Sequence, residues 1–189
     1  MPTLRPVLIA TLLIMACRTA PVQQDPFVVP RQAFFDSVHT VVVTSVSVLG
    51  EIEAADTTLS LIERLIAERL VEAGLSVVPA TEYMEIWDRI AEEAGGFYDP
   101  YTGERDEAKF QDAADSLMSE LSTRFDPDAL LYPEIWEVQV PFSQGDARWG
   151  GAARMVSGGR GYSGEVLAAT LYVVVQDTAG NDLYTREAG

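Results

Sequence analysis

The stretch VHTVVVTSVSVLG, Val38–Gly50, followed by DTTLSLIERLIAERLVEAG, Asp56–Gly74, and LSVVP, Leu75–Pro79, decides the fold. The first segment is so rich in β-branched residues (Val41, Val42, Val43, Val46 and Val48) that it predicts a strand over Val38–Leu49 buried on both faces, at the centre of a sheet. Gly50 ends it. In the second segment Leu59, Ile62, Ile66, Leu70 and Ala73 recur at helical spacing, with Asp56, Thr57 and Thr58 offering N-cap oxygens and Gly74 the stop. Arg64 with Glu68, and Arg69 with Glu72, lie about one turn apart and read as a solvated face. Leu75–Val78 is then a short strand closed by Pro79. Strand, helix and strand in this order make a βαβ unit, whose strands are parallel and whose crossover is right-handed.

Downstream, Thr81 is placed to cap a helix running to about Ala94 through Met84, Ile86, Trp87 and Ile90, broken by Gly95 and Gly96. Glu107–Phe125 predicts a further helix, with Phe110, Ala113, Ala114, Leu117, Met118 and Leu121 on its apolar side and Asp126–Pro127 as terminator. The character of the chain then changes. Ala129–Phe142, Glu165–Gln176 and Asp182–Arg186 read as strands, the last two joined by the turn Thr178–Asn181, and such strands pair antiparallel. A βαβ unit, two more helices and an antiparallel meander make an α/β two-layer sandwich with a mixed sheet.

Upstream, the apolar run Val7–Ala16 is too short to span a bilayer. With Arg5 before it and the small residue Ala16 at its end, it reads as a signal peptide over residues 1–16. Residues 17–33, with Pro21, Pro26, Pro30, Gln23 and Gln24, read as an extended tether, leaving 34–189 as one α/β domain. Cys17 is the only cysteine, so the domain is built without a disulfide. The residues Ile14, Met15, Ala16 and Cys17 resemble the lipobox of bacterial lipoproteins. That resemblance implies acylation of Cys17 as the first mature residue. With Arg18 rather than an aspartate next to it, it also implies anchoring at the outer membrane, facing the periplasm. An ordinary secretory leader with an incidental cysteine is the other reading of the same residues.

The chain carries 29 acidic against 13 basic residues, a net charge of −16, and loss of Arg5 with the leader makes the mature chain more acidic still. Such a surface repels phosphate backbones and anionic lipid headgroups, which argues against nucleic-acid binding. It serves solubility at least as readily as any cationic partner. His39 is the only histidine, at the head of a valine strand, so neither a histidine metal cluster nor a catalytic triad with alternatives can be assembled. Gly159, Gly161 and Gly164 satisfy the spacing of a dinucleotide fingerprint, yet a strand rather than a helix follows, so they read as a hairpin tip. In the loop Phe97–Asp106, the oxygens of Asp99, Thr102, Glu104 and Asp106 suit calcium in type but not in spacing, and a turn through Pro100 and Gly103 is preferred. No metal and no cofactor are implied. Phe97, Tyr98, Tyr101, Trp136 and Trp149 are the candidate partner-contact residues, the two tryptophans being equally compatible with a core. Glu92 with Glu93, or Glu134 with Glu137, are the carboxylate pairs available for acid–base work.

Behind the lipobox, the order of elements resembles a family of bacterial lipoproteins whose fold is shared by the curli-secretion lipoprotein, the lipoprotein activators of penicillin-binding proteins and the amino-terminal domain of TolB. The residues that carry the resemblance are the strand Val41–Val48, the run Leu70–Gly74 leading into Val77 and Val78, and Asp128–Tyr132. It implies an accessory, assembly or regulatory role exercised through contacts with envelope proteins, a second copy of the chain included, without catalysis. Trp136, Val138, Val140 and Phe142 alternate with Glu137, Gln139 and Ser143 over too short a stretch to line a barrel. The sequence stops at Gly189 directly after a strand, where the resemblance implies a closing helix. The competing expectation is a periplasmic hydrolase acting on cell-wall material through paired carboxylates.

Overall fold

A computed structural model describes residues 25–52, 54–156 and 161–189; Cys17, the leader and Gly159 lie outside the described residues. The elements, in chain order, are α1 (Arg31–Ser37), β1 (Thr40–Val43), β2 (Ser47–Leu49), α2 (Asp56–Glu72), β3 (Ser76–Val78), α3 (Ala80–Glu93), α4 (Glu107–Phe125), β4 (Ala129–Ser143), β5 (Asp146–Trp149), β6 (Ala152–Met155), β7 (Ser163–Asp177) and β8 (Asp182–Ala188).

The valine strand takes the central place its composition demands. β1 runs parallel to both neighbours, with Val41 opposite Val77 of β3 and opposite Ala129 of β4. With α2 as the crossover, β1 and β3 form the βαβ unit. The long β-branched run is nevertheless two strands: after a last ladder bond from Thr44 N–H to Leu131 O (2.9 Å) the chain steps away, and Val46 N–H donates instead to Glu63 Oε1 on α2 (3.0 Å). β2 then resumes beside β4, with Val48 opposite Ile135. Valine content is blind to such a step, because it favours strand on both sides of it. β4 and β7 pair antiparallel along their whole length, and β8 pairs with the second half of β7. The result is an α/β fold on a mixed sheet.

Three pieces of structure were not anticipated. The hairpin β5–β6 folds back on the end of β4, Phe142 opposite Ala147, and Trp149 ends its first strand. The helix α1 and the segment before it are packed: Val28 N–H donates to Leu183 O (3.0 Å), Thr185 N–H to Pro26 O (2.8 Å), and Phe27 stands opposite Tyr184. Packed structure therefore begins before Phe34. Helix starts also differ, since the N-caps of α2 and α3 are Ala55 and Pro79, neither with a side-chain cap bond. Pro79 ends β3 and leads straight into α3, which leaves Thr81 inside the first turn rather than ahead of it. α4 occupies its expected span: Asp106 Oδ1 accepts from Lys109 N–H (3.0 Å) at the start, and Asp126 at the end adopts the left-handed conformation, φ 45°.

Strand alternation distributes the core between two faces. Val41, Val43, Ala129, Leu131 and Val175 point toward α1 and α2, whereas Val42, Val78 and Leu130 point toward α3 and α4. On the second face Ile86, Ile90, Leu117 and Leu121 seal the layer, and Trp87, Phe97 and Phe110 close its end with ring centroids 5.2–5.7 Å apart. Charged clasps join the two helices outside this core, Arg89 to Glu120 and Arg124 to Glu82 (3.2 Å). Helices thus cover both faces over β1 and β3.

At the far end the sheet curls. β5 lies on one edge of β4 and β8 on the outer edge of β7, yet Gly189 N–H donates to Gly150 O (2.9 Å) and Trp149 Nε1–H to Ala169 O (3.0 Å). Gly150 has φ +47°, and any Cβ there would collide with the Gly189 backbone, so this contact requires glycine.

Candidate functional site

The two faces of the sheet are not equally closed. α2 lies over β1 and β3 and has no fully buried residue along its length. Between α2, the α1 segment and the sheet surface of β4, β7 and β8 is an apolar cleft of about 450 Å³. Its floor includes Leu131, Leu171 and Val173, and its wall on the helix side includes Ile66 and Leu70. At one end Phe27 packs edge-on against Phe34 (5.2 Å) and Tyr184 (5.1 Å). Leu65, on the rim, is 47% exposed. The size falls within the range of small-molecule sites.

Two charged side chains line this cleft, Arg69 and Arg186, and no carboxylate does. Arg69 Nη1 sits 2.6 Å from Glu72 Oε2 in a solvent-exposed pair. Arg186 makes no ion pair among the described residues. The Arg31 guanidinium lies 4.8 Å over the ring of Phe27, itself a lining residue. Apart from these side chains the lining is almost wholly apolar.

Of the contact residues expected from sequence, Phe97 is 8% exposed and wedged between Trp87 and Phe110. Tyr98 and Tyr101 stand out from their loop, Tyr101 at 95% exposure. Trp136 is 44% exposed, its indole donating to Glu134 Oε2 (2.8 Å) and its ring 5.6 Å from that of Tyr172. Trp149 is half-buried, with its indole N–H held by Ala169 O.

The loop around the tyrosines spends its oxygens on its own backbone. Asp99 Oδ1 accepts from Tyr101 N–H (2.8 Å) and Thr102 N–H (2.9 Å). These bonds, that from Thr102 first, hold its carboxyl below the ordinary aspartate range. Asp106 is committed to the cap of α4, and Arg105 to Glu107 (2.7 Å). Among the described residues no three His, Cys, Asp or Glu side chains converge as a metal site.

The carboxylate pairs are not assembled for catalysis. Glu134 and Glu137 are three apart on β4, and side chains at odd separation project to opposite faces. Glu92 and Glu93 are neighbours at the end of α3, with Glu93 paired to Arg89 (3.2 Å). After Gly161 and Gly164 the chain is the strand β7, so no helix N-terminus is aimed at a phosphate. His39 heads β1 and contributes its backbone: its N–H donates to Asp128 Oδ2 (2.8 Å).

The residues sequence reasoning missed are those of the cleft: Phe27, Phe35, Leu65, Arg69 and Arg186. Two signals pointed to them. Leu61 and Leu65 widen the apolar stripe of α2 beyond what one sheet contact uses, and Phe34–Phe35 puts bulky apolar groups on both sides of a short segment.

No protein-family model and no curated protein matches the chain. Among solved structures it is similar to the crystal structure of lipoprotein GNA1162 from Neisseria meningitidis, at 17% identity over 79% of this chain and 80% of that one, with a TM-score of 0.39. It is also similar to the LpoB C-terminal domain from Salmonella enterica, at 10% identity over 80% of this chain and 82% of that one, with a TM-score of 0.36. At these identities the likeness concerns the course of the chain alone, and at these TM-scores it is a loose one.

Proposed function

We propose that the protein is a lipid-anchored component of the bacterial envelope, held at the outer membrane by acylation of Cys17, facing the periplasm, and acting through contacts with other envelope proteins rather than by catalysis. The observation that carries this reading is the apolar run Val7–Ala16 ending directly at Cys17. Such a run suits a processed leader and is too short for a span. Among the described residues no helix is long and apolar enough to cross a membrane. A binding rather than catalytic role is supported by Glu134 and Glu137 lying on opposite faces of β4, and by Tyr98, Tyr101 and Trp136 standing exposed on an otherwise acidic surface.

Metabolic labelling with palmitate tests the anchor: wild type is expected to incorporate label and Cys17→Ser to lose it. Equal labelling of both, or recovery of an unmodified chain from the cytosol, would sink the reading. The contact mode is tested by cross-linking in intact envelopes, where Tyr101→Ala and Trp136→Ala are expected to lower the yield of a reproducible adduct, with a second copy of the chain as one candidate adduct.

A further inference from the structure

We infer that the cleft between α2 and the strands β4, β7 and β8 binds a single-chain anionic amphiphile, of which a long-chain carboxylate is the simplest member. The inference is independent of whether Cys17 is acylated.

Charge selection is the strongest argument. The chain has more than twice as many acidic as basic residues, 29 against 13, yet the charged residues that line this largely apolar cleft are two arginines, Arg69 and Arg186, with no aspartate or glutamate among them. Arg31 stacks on the ring of the lining residue Phe27 and is a third cation next to the cleft wall. A guanidinium takes a carboxylate through two parallel N–H donors. Arg186 makes no ion pair among the described residues, and the Arg69–Glu72 pair is of the exposed kind that contributes little and exchanges readily.

Shape narrows the class further. The cleft holds about 450 Å³, which suits a slim alkyl chain laid along Leu131, Leu171 and Val173. The net charge of −16 still opposes approach to an anionic bilayer. The local cations therefore select a single detached molecule rather than a lipid surface.

The test uses the full chain as Cys17→Ser, handled without detergent, and displacement of a fluorescent fatty acid as readout. Palmitate below its micelle concentration is compared with hexadecanol and with phosphatidylglycerol vesicles. Saturable one-to-one binding of palmitate is expected, weaker by about tenfold for hexadecanol and in Arg186→Gln, the size of one charge-assisted contact. Leu65→Asp, at an exposed rim position, is expected to abolish binding while circular dichroism and melting stay as in the parent. Failure of palmitate to saturate, equal affinity for hexadecanol, or indifference to both variants overturns the inference. Binding of vesicles without binding of monomeric palmitate overturns it in favour of a membrane surface. Competition by an acidic amphipathic peptide but not by palmitate overturns it in favour of a protein helix.

Discussion

The same strands present two faces that are finished differently. Toward α3 and α4, Val42, Val78 and Leu130 meet Ile86, Ile90, Leu117 and Leu121 in a sealed layer. Toward α1 and α2, Val41, Val43 and Leu131 meet a helix with no fully buried residue and an open cleft beyond it. Close packing is what makes a core cooperative, and each methylene removed from it is felt. Both faces therefore carry a buried core, but the one toward α2 is also left open beyond that helix.

The largest expected effect is on the sealed face. Leu121, 0% exposed, is expected to cost about 2–5 kcal/mol when cut to alanine, read by urea unfolding. Ile66→Ala on the open face should cost about 1 kcal/mol, because its neighbours already border empty space and less contact is lost. Equal losses at the two sites would abolish the contrast. Asp106→Ala removes the cap of α4 and is expected to cost about 1 kcal/mol in the same assay. The smallest effect concerns the clasp between α3 and α4. The Arg89 guanidinium holds the Glu120 carboxyl below its ordinary value of 4.5. With a folded pKa lower than the unfolded one, this contribution is present above pH 4.5 and is lost as pH falls through the folded value. Glu120→Gln should accordingly flatten part of the acid-side decline in stability, and an unchanged profile would show that the clasp is incidental.

Legibility in the sequence followed locality. The βαβ unit and α4 were readable because their periodicity and stops lie within a few positions of one another. The break between Val43 and Ser47 was not, since the backbone there is held by Glu63 reaching from α2, remote in sequence. β5 and β6 are four residues each around Gly150–Gly151, too short for alternation to register. α1 and Pro26–Val28 were masked by proline-bearing composition, although Phe27 and Phe34 join the core through Tyr184. The candidate site was least legible of all. It arises where a layer is missing over β7 and β8, and its two arginines come from α2 and β8, more than a hundred residues apart in the chain.

The attachment of Pro26–Val28 to β8 has a mechanical consequence. Any pull arriving through the chain ahead of Asp25 enters the domain at a sheet border, on the hydrogen bonds Val28 to Leu183 and Thr185 to Pro26. A strand drawn off an edge unzips one bond at a time, whereas strands dragged past each other resist with many at once. Tension there would peel away Phe27, and with it one wall of the cleft, long before it strained the valine centre of the sheet.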